Sequence, residues 1–205
     1  MTSQQRGGYA KGDARREAIV EVATEVFGTL GFRSATMLQI AAACGISRTG
    51  LLHHFPTKES LLEAVLAQRD RTSALVVPLP SDVADPDLAA IERLIALARH
   101  NASSPEIVNL FSVLSAEAGD PEHPAHAYFL ERYAAARAEL AAALTRLAAR
   151  GALVAGTDPR ALAIEIIALM DGLQVQWVLA PDSIDMAAVL RHRIQAALLP
   201  PYVLR

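Results

Sequence analysis

Four times beyond residue 80, a residue placed as a helix N-cap is followed at once by proline: Asp85-Pro86, Ser104-Pro105, His123-Pro124 and Asp158-Pro159. Proline lacks an amide proton and has φ held near the helical value, so it suits the first position of a helix and disrupts the interior. Each pair therefore predicts a helix start, and the runs between them end near Asn101, Gly119 and Gly151. Pro181 marks a last break before a helix read from about Ser183 to Leu199, closed by Pro200-Pro201. Pro78, Pro80 and Pro86 mark the loop that precedes this series of five helices.

The N-terminal side is punctuated by glycine and hydroxyl residues. Residues 1–12 are polar, basic and glycine-containing and read as a flexible arm, with Asp13 as the N-cap of a first helix. Ile19, Ala23, Val26, Phe27 and Leu30 then recur at helical spacing on one face. Gly31 stops that helix, and Phe32 can fold back on its last turn. Thr36 and Gln39 form a capping box for a short second helix that Gly45 ends. Ser47 caps a third helix running into His53-His54-Phe55, Pro56 breaks it, and Thr57 caps a fourth that carries Leu61, Leu62, Val65 and Leu66. With no strand pattern and no internal repeat, the chain is predicted to be all-α, with about nine helices.

The second and third helices have the requirements of a helix-turn-helix. Ala41 and Ala42 are small where the helices should cross, and Gly45 can adopt the positive φ of the turn. Ile40, Cys44, Ile46 and Leu51 fall where apolar residues would pin the pair to the helix beneath. The outward face of the third helix stays polar, with Ser47, Arg48, Thr49 and His53, as a helix entering the DNA major groove requires. The amide-rich helix starts at Thr36 and Thr57 can hold phosphates. Lys58, a cation poorly placed for its own helix start, reads either as a phosphate contact or as a solvated lysine.

The charge distribution agrees. The net charge is −3, yet residues 1–58 hold seven Lys/Arg against four Asp/Glu, a basic end on an acidic body. This fits a polyanionic partner at one end. One cysteine, Cys44, excludes an intrachain disulfide and agrees with a reducing cytoplasm, and Met1 leads into no apolar signal segment. The apolar run Ala161–Ala180 is interrupted by Glu165 and Asp171 and is read as a poor membrane span. No nucleophile elbow, P-loop, H-E-x-x-H or dinucleotide fingerprint occurs, so an enzyme is disfavoured and no cofactor is expected. His123 and His126 have workable metal spacing without a third ligand nearby, and His123 is read as a helix cap. His53 and His54 are read as pointing to different faces.

Gly45-Ile46-Ser47-Arg48-Thr49-Gly50-Leu51-Leu52-His53-His54-Phe55-Pro56-Thr57-Lys58, continuing through Glu59-Ser60-Leu61-Leu62, resembles the signature of TetR-family (TetR/AcrR-type) regulators. Phe27, Gly31-Phe32, Thr36 and Ile40-Ala41 extend the match upstream. The resemblance implies a nine-helix homodimer with a DNA-binding domain (13–56), a connecting helix (57–77) and a ligand-binding and dimerisation domain (86–199). It implies a repressor released from a palindromic operator by a small-molecule effector; an activator or a ligand-independent regulator is the alternative. Carried over, Arg48, Thr49, Gly50 and His53 would face bases, and Thr36, Ser47, His54 and Lys58 would contact phosphates. Leu52 stands where the family usually has Tyr, and Thr49-Gly50 reverses a common Gly-first order.

The C-terminal half offers a dimer face. Leu162, Ile164, Ile166, Ile167, Leu169, Met170, Leu173, Val175 and Trp177 make one helix apolar all round, which requires cover on every side. Met186, Val189, Leu190, Ile194 and Leu198 of the final helix are predicted to supply the adjoining face. For the ligand, Phe111, Leu114, Phe129, Tyr133, Met170, Gln174 and Trp177 are the candidate lining residues, and the low aromatic content leans towards an aliphatic or mixed ligand.

Overall fold

The computed structural model describes residues 3–80 and 83–204. Among them are nine α-helices in the order α1 (Ser3–Ser34), α2 (Met37–Ala43), α3 (Arg48–His54), α4 (Lys58–Val76), α5 (Pro86–Asn101), α6 (Pro105–Glu117), α7 (His126–Ala149), α8 (Pro159–Leu179) and α9 (Met186–Gln195). No strand forms among the described residues; Leu153 and Leu198 share an isolated antiparallel bridge.

Most helix ends follow the local chemistry. Asp85 and Asp158 accept amide hydrogen bonds from the first turns of α5 and α8, each with proline just inside. Thr36, Ser47 and Thr57 cap α2, α3 and α4 through their hydroxyls. Three boundaries differ. Helix α1 begins at Ser3, so Asp13 lies inside it rather than capping it, and the segment read as an arm is helical from that residue on. Adding a turn to a formed helix costs far less than nucleating one, so polar flanking residues are drawn in. Pro124 does not open α7: His123 Nδ1 accepts from the Ala125 amide in a turn, and the helix starts at His126. Helix α9 is shorter than its apolar pattern, capped by Asp185 after a 3-10 turn at Pro181–Ser183.

Two apolar clusters result. One joins Ile19, Ala23 and Phe27 of α1 to Ile40, Leu51, Phe55 and the α4 residues Leu61, Leu62 and Val65, and it continues into Leu110 and Leu114 of α6 and Phe129 of α7. Leu30, read as part of the α1 stripe, is 41% exposed, because the chain turns at the next residue. The second cluster packs α5, α7, α8 and α9 around Ile91, Ile95, Leu144, Ile166, Leu190 and Ile194. Helix α8 is long and apolar enough to cross a membrane by length and composition, despite Glu165 and Asp171. Its Leu162, Ile166, Met170, Leu173 and Trp177 side is instead the core of this bundle.

Helix α6 joins the two halves by lying on α1. Asn109 Nδ2 donates to the Gly28 carbonyl at 2.8 Å, and the Phe32 amide donates to Glu117 Oε2 at 2.7 Å. Arg33 pairs with Asp120 just beyond α6. His123, buried with its ring edge against Phe32, sits 3.5 Å from Glu117 Oε2, and burial holds its pKa below the usual histidine value.

The turn that frees the Phe32 amide depends on Gly31, at φ 75°, where an added Cβ would collide with Glu117. Gly31→Ala is expected to lower the unfolding free energy by about 1–3 kcal/mol for the backbone alone. Urea unfolding followed by circular dichroism measures this, and an unchanged midpoint would show that the turn accepts a side chain.

Candidate nucleic-acid interface and bundle cavity

Helices α2 and α3 are held at their turn by backbone bonds from the Gly45 amide to Ala42 and from the Ile46 amide to Ala41, with Gly45 at φ 65°. Ile40, Ala41 and Leu51 are fully buried, whereas Cys44 and Ile46 are half-buried. Ala42, read as a crossing residue, is exposed, and Ala41 is buried.

The outer face of α3 presents Ser47, Arg48, Thr49 and His53 to solvent, with Gly50 and His54 half-buried. Ser47 Oγ accepts from the Gly50 amide at 3.0 Å, which fixes the first turn that carries Arg48 and Thr49. The Thr36 hydroxyl is engaged within its own capping box, accepting from the Gln39 amide and donating to Gln39 Oε1 at 2.8 Å. His53 is exposed and His54 half-buried, and their rings meet edge to face with centroids 5.6 Å apart.

Lys58 has a position that the sequence reading missed. Its Nζ donates to the carbonyls of Phe32 at 2.7 Å, Ala35 at 2.9 Å and Arg33 at 3.4 Å, and it lies over the Phe32 ring. An ammonium has three protons, so the cation is committed to the carbonyl end of α1, where helix electrostatics favours it. Arg16 makes the equivalent contact for α3, donating to the His54 carbonyl at 2.6 Å while stacking on Phe55, and Arg15 reaches the Cys44 carbonyl beyond α2. These partners lie 23 to 38 residues away, so no local pattern reveals them.

A cavity of ≈ 570 Å³ lies among α4, α5, α7 and α8. Leu94, Leu97, Leu140 and Ile167 are among its apolar walls, and Arg69, Asp70, Tyr128 and Arg132 form a polar end. Of the seven residues predicted to line a pocket, only Met170 does so. Phe111, Leu114 and Phe129 belong to the N-terminal cluster instead, and Trp177 packs in the C-terminal core. Gln174 is buried outside the cavity wall, and Tyr133 is half-buried and hydrogen-bonded to Asp171 and Ser115. Large apolar residues close a bundle; the opening forms where Ala90, Ala135 and Ala136 leave room between helices. His126 and His123, weighed as a metal pair, turn their Nδ1 atoms to the Ala118 carbonyl and the Ala125 amide.

A short helix-turn-helix with a polar outward helix, mounted on a separate all-helical bundle, defines a DNA-binding transcription regulator. The sequence model of the family described as bacterial regulatory proteins, tetR family, matches residues 19–65, and that of the BetI-type transcriptional repressor C-terminal region matches residues 92–199. The chain belongs to the TetR family of regulators, which are not enzymes. It is 44% identical over 55 residues to the HTH-type transcriptional regulator RutR of Escherichia coli K12, covering 27% of this chain and 26% of RutR. It is 43% identical over 60 residues to UidR of the same strain, covering 29% and 30%. The match thus spans between a quarter and a third of these relatives. The SmeT–triclosan complex superposes with TM-score 0.72 at 18% identity, over 93% of this chain and 95% of SmeT. A TetR-family regulator from Agrobacterium tumefaciens has TM-score 0.72 at 21% identity, over 92% and 100%. At such identities the likeness is one of fold.

Lys58→Met is expected to cost about 1.5–3 kcal/mol of stability through three carbonyls deprived of a charged donor. The slope of log affinity for DNA against log salt should stay as in the parent. A slope smaller by about one unit with stability intact would instead assign the ammonium to a phosphate.

Proposed function

We propose that the chain is a homodimeric repressor that occupies a two-fold operator and leaves it when a small molecule fills the bundle cavity. The observation that carries this reading is the physical route between cavity and reading head. Arg69 and Arg132 of the cavity wall stack over Phe111 of α6, the first at 3.9 Å and the second at 5.0 Å from the ring centre. Helix α6 is in turn bonded to α1 through Asn109 and Glu117, and α1 carries the helix-turn-helix. A ligand that favours one placement of α6 thereby favours one placement of α3, which is the coupling that release from DNA requires. SmeT, described as the repressor of a multidrug efflux pump, was solved with triclosan bound, which supports a ligand-responsive bundle of this fold.

In this reading Arg48, Thr49, Gly50 and His53 read base edges, and Ser47 and His54 meet phosphates alongside the helix start at Thr36. Lys58 serves the fold rather than the phosphate. The regulator acts on DNA in the cytoplasm. Two copies meet through α8 and α9. Ile164, Val175 and Leu179 form an exposed apolar stripe on α8, at 56%, 51% and 81% exposure. On α9, however, Met186, Leu190 and Ile194 face their own core, as does Leu198 beyond the helix end, so the partner face is the opposite side, with Val189 and, past the helix, Leu199. The apolar pattern alone did not distinguish the two sides, because alanines at 188 and 196 complete the outward one.

Two measurements test the reading. Arg48→Ala should flatten base preference at one operator position, a loss of about 1–3 kcal/mol of discrimination, in a binding-site selection; an unaltered selected motif removes Arg48 from base reading. Val175→Glu should convert the dimer to a monomer in sedimentation velocity and weaken operator binding by more than tenfold, since a lone carboxylate would be buried at the interface. A dimer that survives the substitution moves the interface elsewhere.

A further inference from the structure

Arg69 is the most deeply buried cation among the described residues, 4% exposed, and it lines the cavity at its polar end. One of its Nη atoms donates to Asp70 at 3.2 Å, and its Nε has no hydrogen-bond partner. A buried guanidinium with an unsatisfied donor is costly unless a charge answers it. Asp70 does not answer it alone. Its Oδ1 also accepts from Arg132 at 3.0 Å and from the Tyr128 hydroxyl at 3.0 Å. Two guanidiniums thus share one hydrogen-bonded carboxylate; Asp171, the next acid near Arg132, is engaged with Tyr133, and burial raises its pKa, which weakens it as a counter-charge. Burial, and then the neighbouring Arg132, brings the Arg69 pKa down to about 10, so it is still charged at neutral pH.

None of the other charged residues of the wall hydrogen-bonds to Arg69. Glu131 and Glu139 are exposed to solvent, and Arg93 Nε is engaged by the Val77 carbonyl at 2.9 Å. The rest of the wall is aliphatic: Leu94, Leu97, Leu140, Ile167 and Met170. The ≈ 570 Å³ of space falls within the range of small-molecule sites. A planar fork facing an acidic group favours a carboxylate, which can accept two parallel N–H bonds.

We infer that the cavity takes an aliphatic monocarboxylate, its acid group held by Arg69 and Arg132 and its chain lying against the α5, α7 and α8 side chains. This rests on reading the cavity as the effector site. The ligand supplies the missing acceptor, relieves the two guanidiniums of their shared partner and alters their stacking on Phe111, the α6 ring that links the cavity to α1.

The experiment is calorimetric titration of the full-length dimer with the saturated carboxylates from hexanoate to dodecanoate, the matching primary alcohols and the matching primary amines. At least one carboxylate should bind ten times or more tighter than its alcohol, with no binding of the amine. Arg69→Met should weaken that carboxylate by tenfold or more while leaving the alcohol within threefold. Because a buried substitution can disturb folding, Arg132→Met on the half-exposed partner is measured beside it and should weaken the carboxylate in the same direction. Alcohol or amine binding as tightly as the carboxylate, no member of the series binding, or carboxylate affinity indifferent to both substitutions would each overturn the inference. A parallel gel-shift assay on a selected operator separates this from the wider reading. Arginine-dependent carboxylate binding that leaves DNA affinity unchanged upholds the ligand class and refutes release by ligand. An alcohol that binds and releases DNA does the reverse.

Discussion

Much of the molecule hangs on a single hydrogen bond, from the Phe32 amide to the Glu117 carboxylate. Gly31 breaks the helical backbone inside α1, and the next amide, that of Phe32, is met by an acceptor from the last residue of α6. That contact, with Asn109 on the Gly28 carbonyl, puts the bundle in touch with the one helix on which the reading head is built. Helix α1 therefore belongs to both halves. Its Ile19, Ala23 and Phe27 share a core with α2, α3 and α4, and the same core runs on into α6. Rotation of α6 cannot leave α1 indifferent, because a charge-assisted bond and a close-packed core both resist sliding.

Within the reading head, positive charge is used for architecture. Arg15, Arg16 and Lys58 each reach the carbonyl end of a helix: α2, α3 and α1 in that order. Short helices such as α2 and α3, each of 7 residues, are marginal alone. Their first turns are held by Thr36 and Ser47 and their last turns by cations from other elements. The basic charge of the N-terminal segment is therefore partly internal. Arg48, by contrast, stands on the exposed side of α3.

The bundle shows the opposite use of charge. The Arg191 fork meets Glu92 through two bonds of 3.0 Å, and Arg146 and Arg150 are matched by Asp87 and Asp85. At the cavity the matching stops, with two guanidiniums on Asp70. The imbalance sits beside the α6 ring that joins the bundle to α1. Arg69, whose Nε has no hydrogen-bond partner, thus stands both in the cavity wall and against the α6 ring.

The sequence by itself determined the helix order, the caps at Thr36, Ser47, Thr57, Asp85 and Asp158, and the helix-turn-helix with its polar outer face. Those signals are local: a cap reaches three residues, and a turn needs one glycine. Resemblance across the same segment also identified the family. What only the tertiary structure decided is anything set by residues distant in the chain. It placed Lys58 on carbonyls 23 to 26 residues back, turned the Met186, Leu190 and Ile194 side of α9 inward, and put Phe111 and Trp177 in cores rather than in a cavity wall. It also assembled the cavity's charged end from α4 and α7, whose Asp70 and Arg132 are 62 residues apart. Periodicity says that a residue is buried, but not against what, because a hydrophobic face is non-directional and will accept any apolar neighbour that packing brings to it.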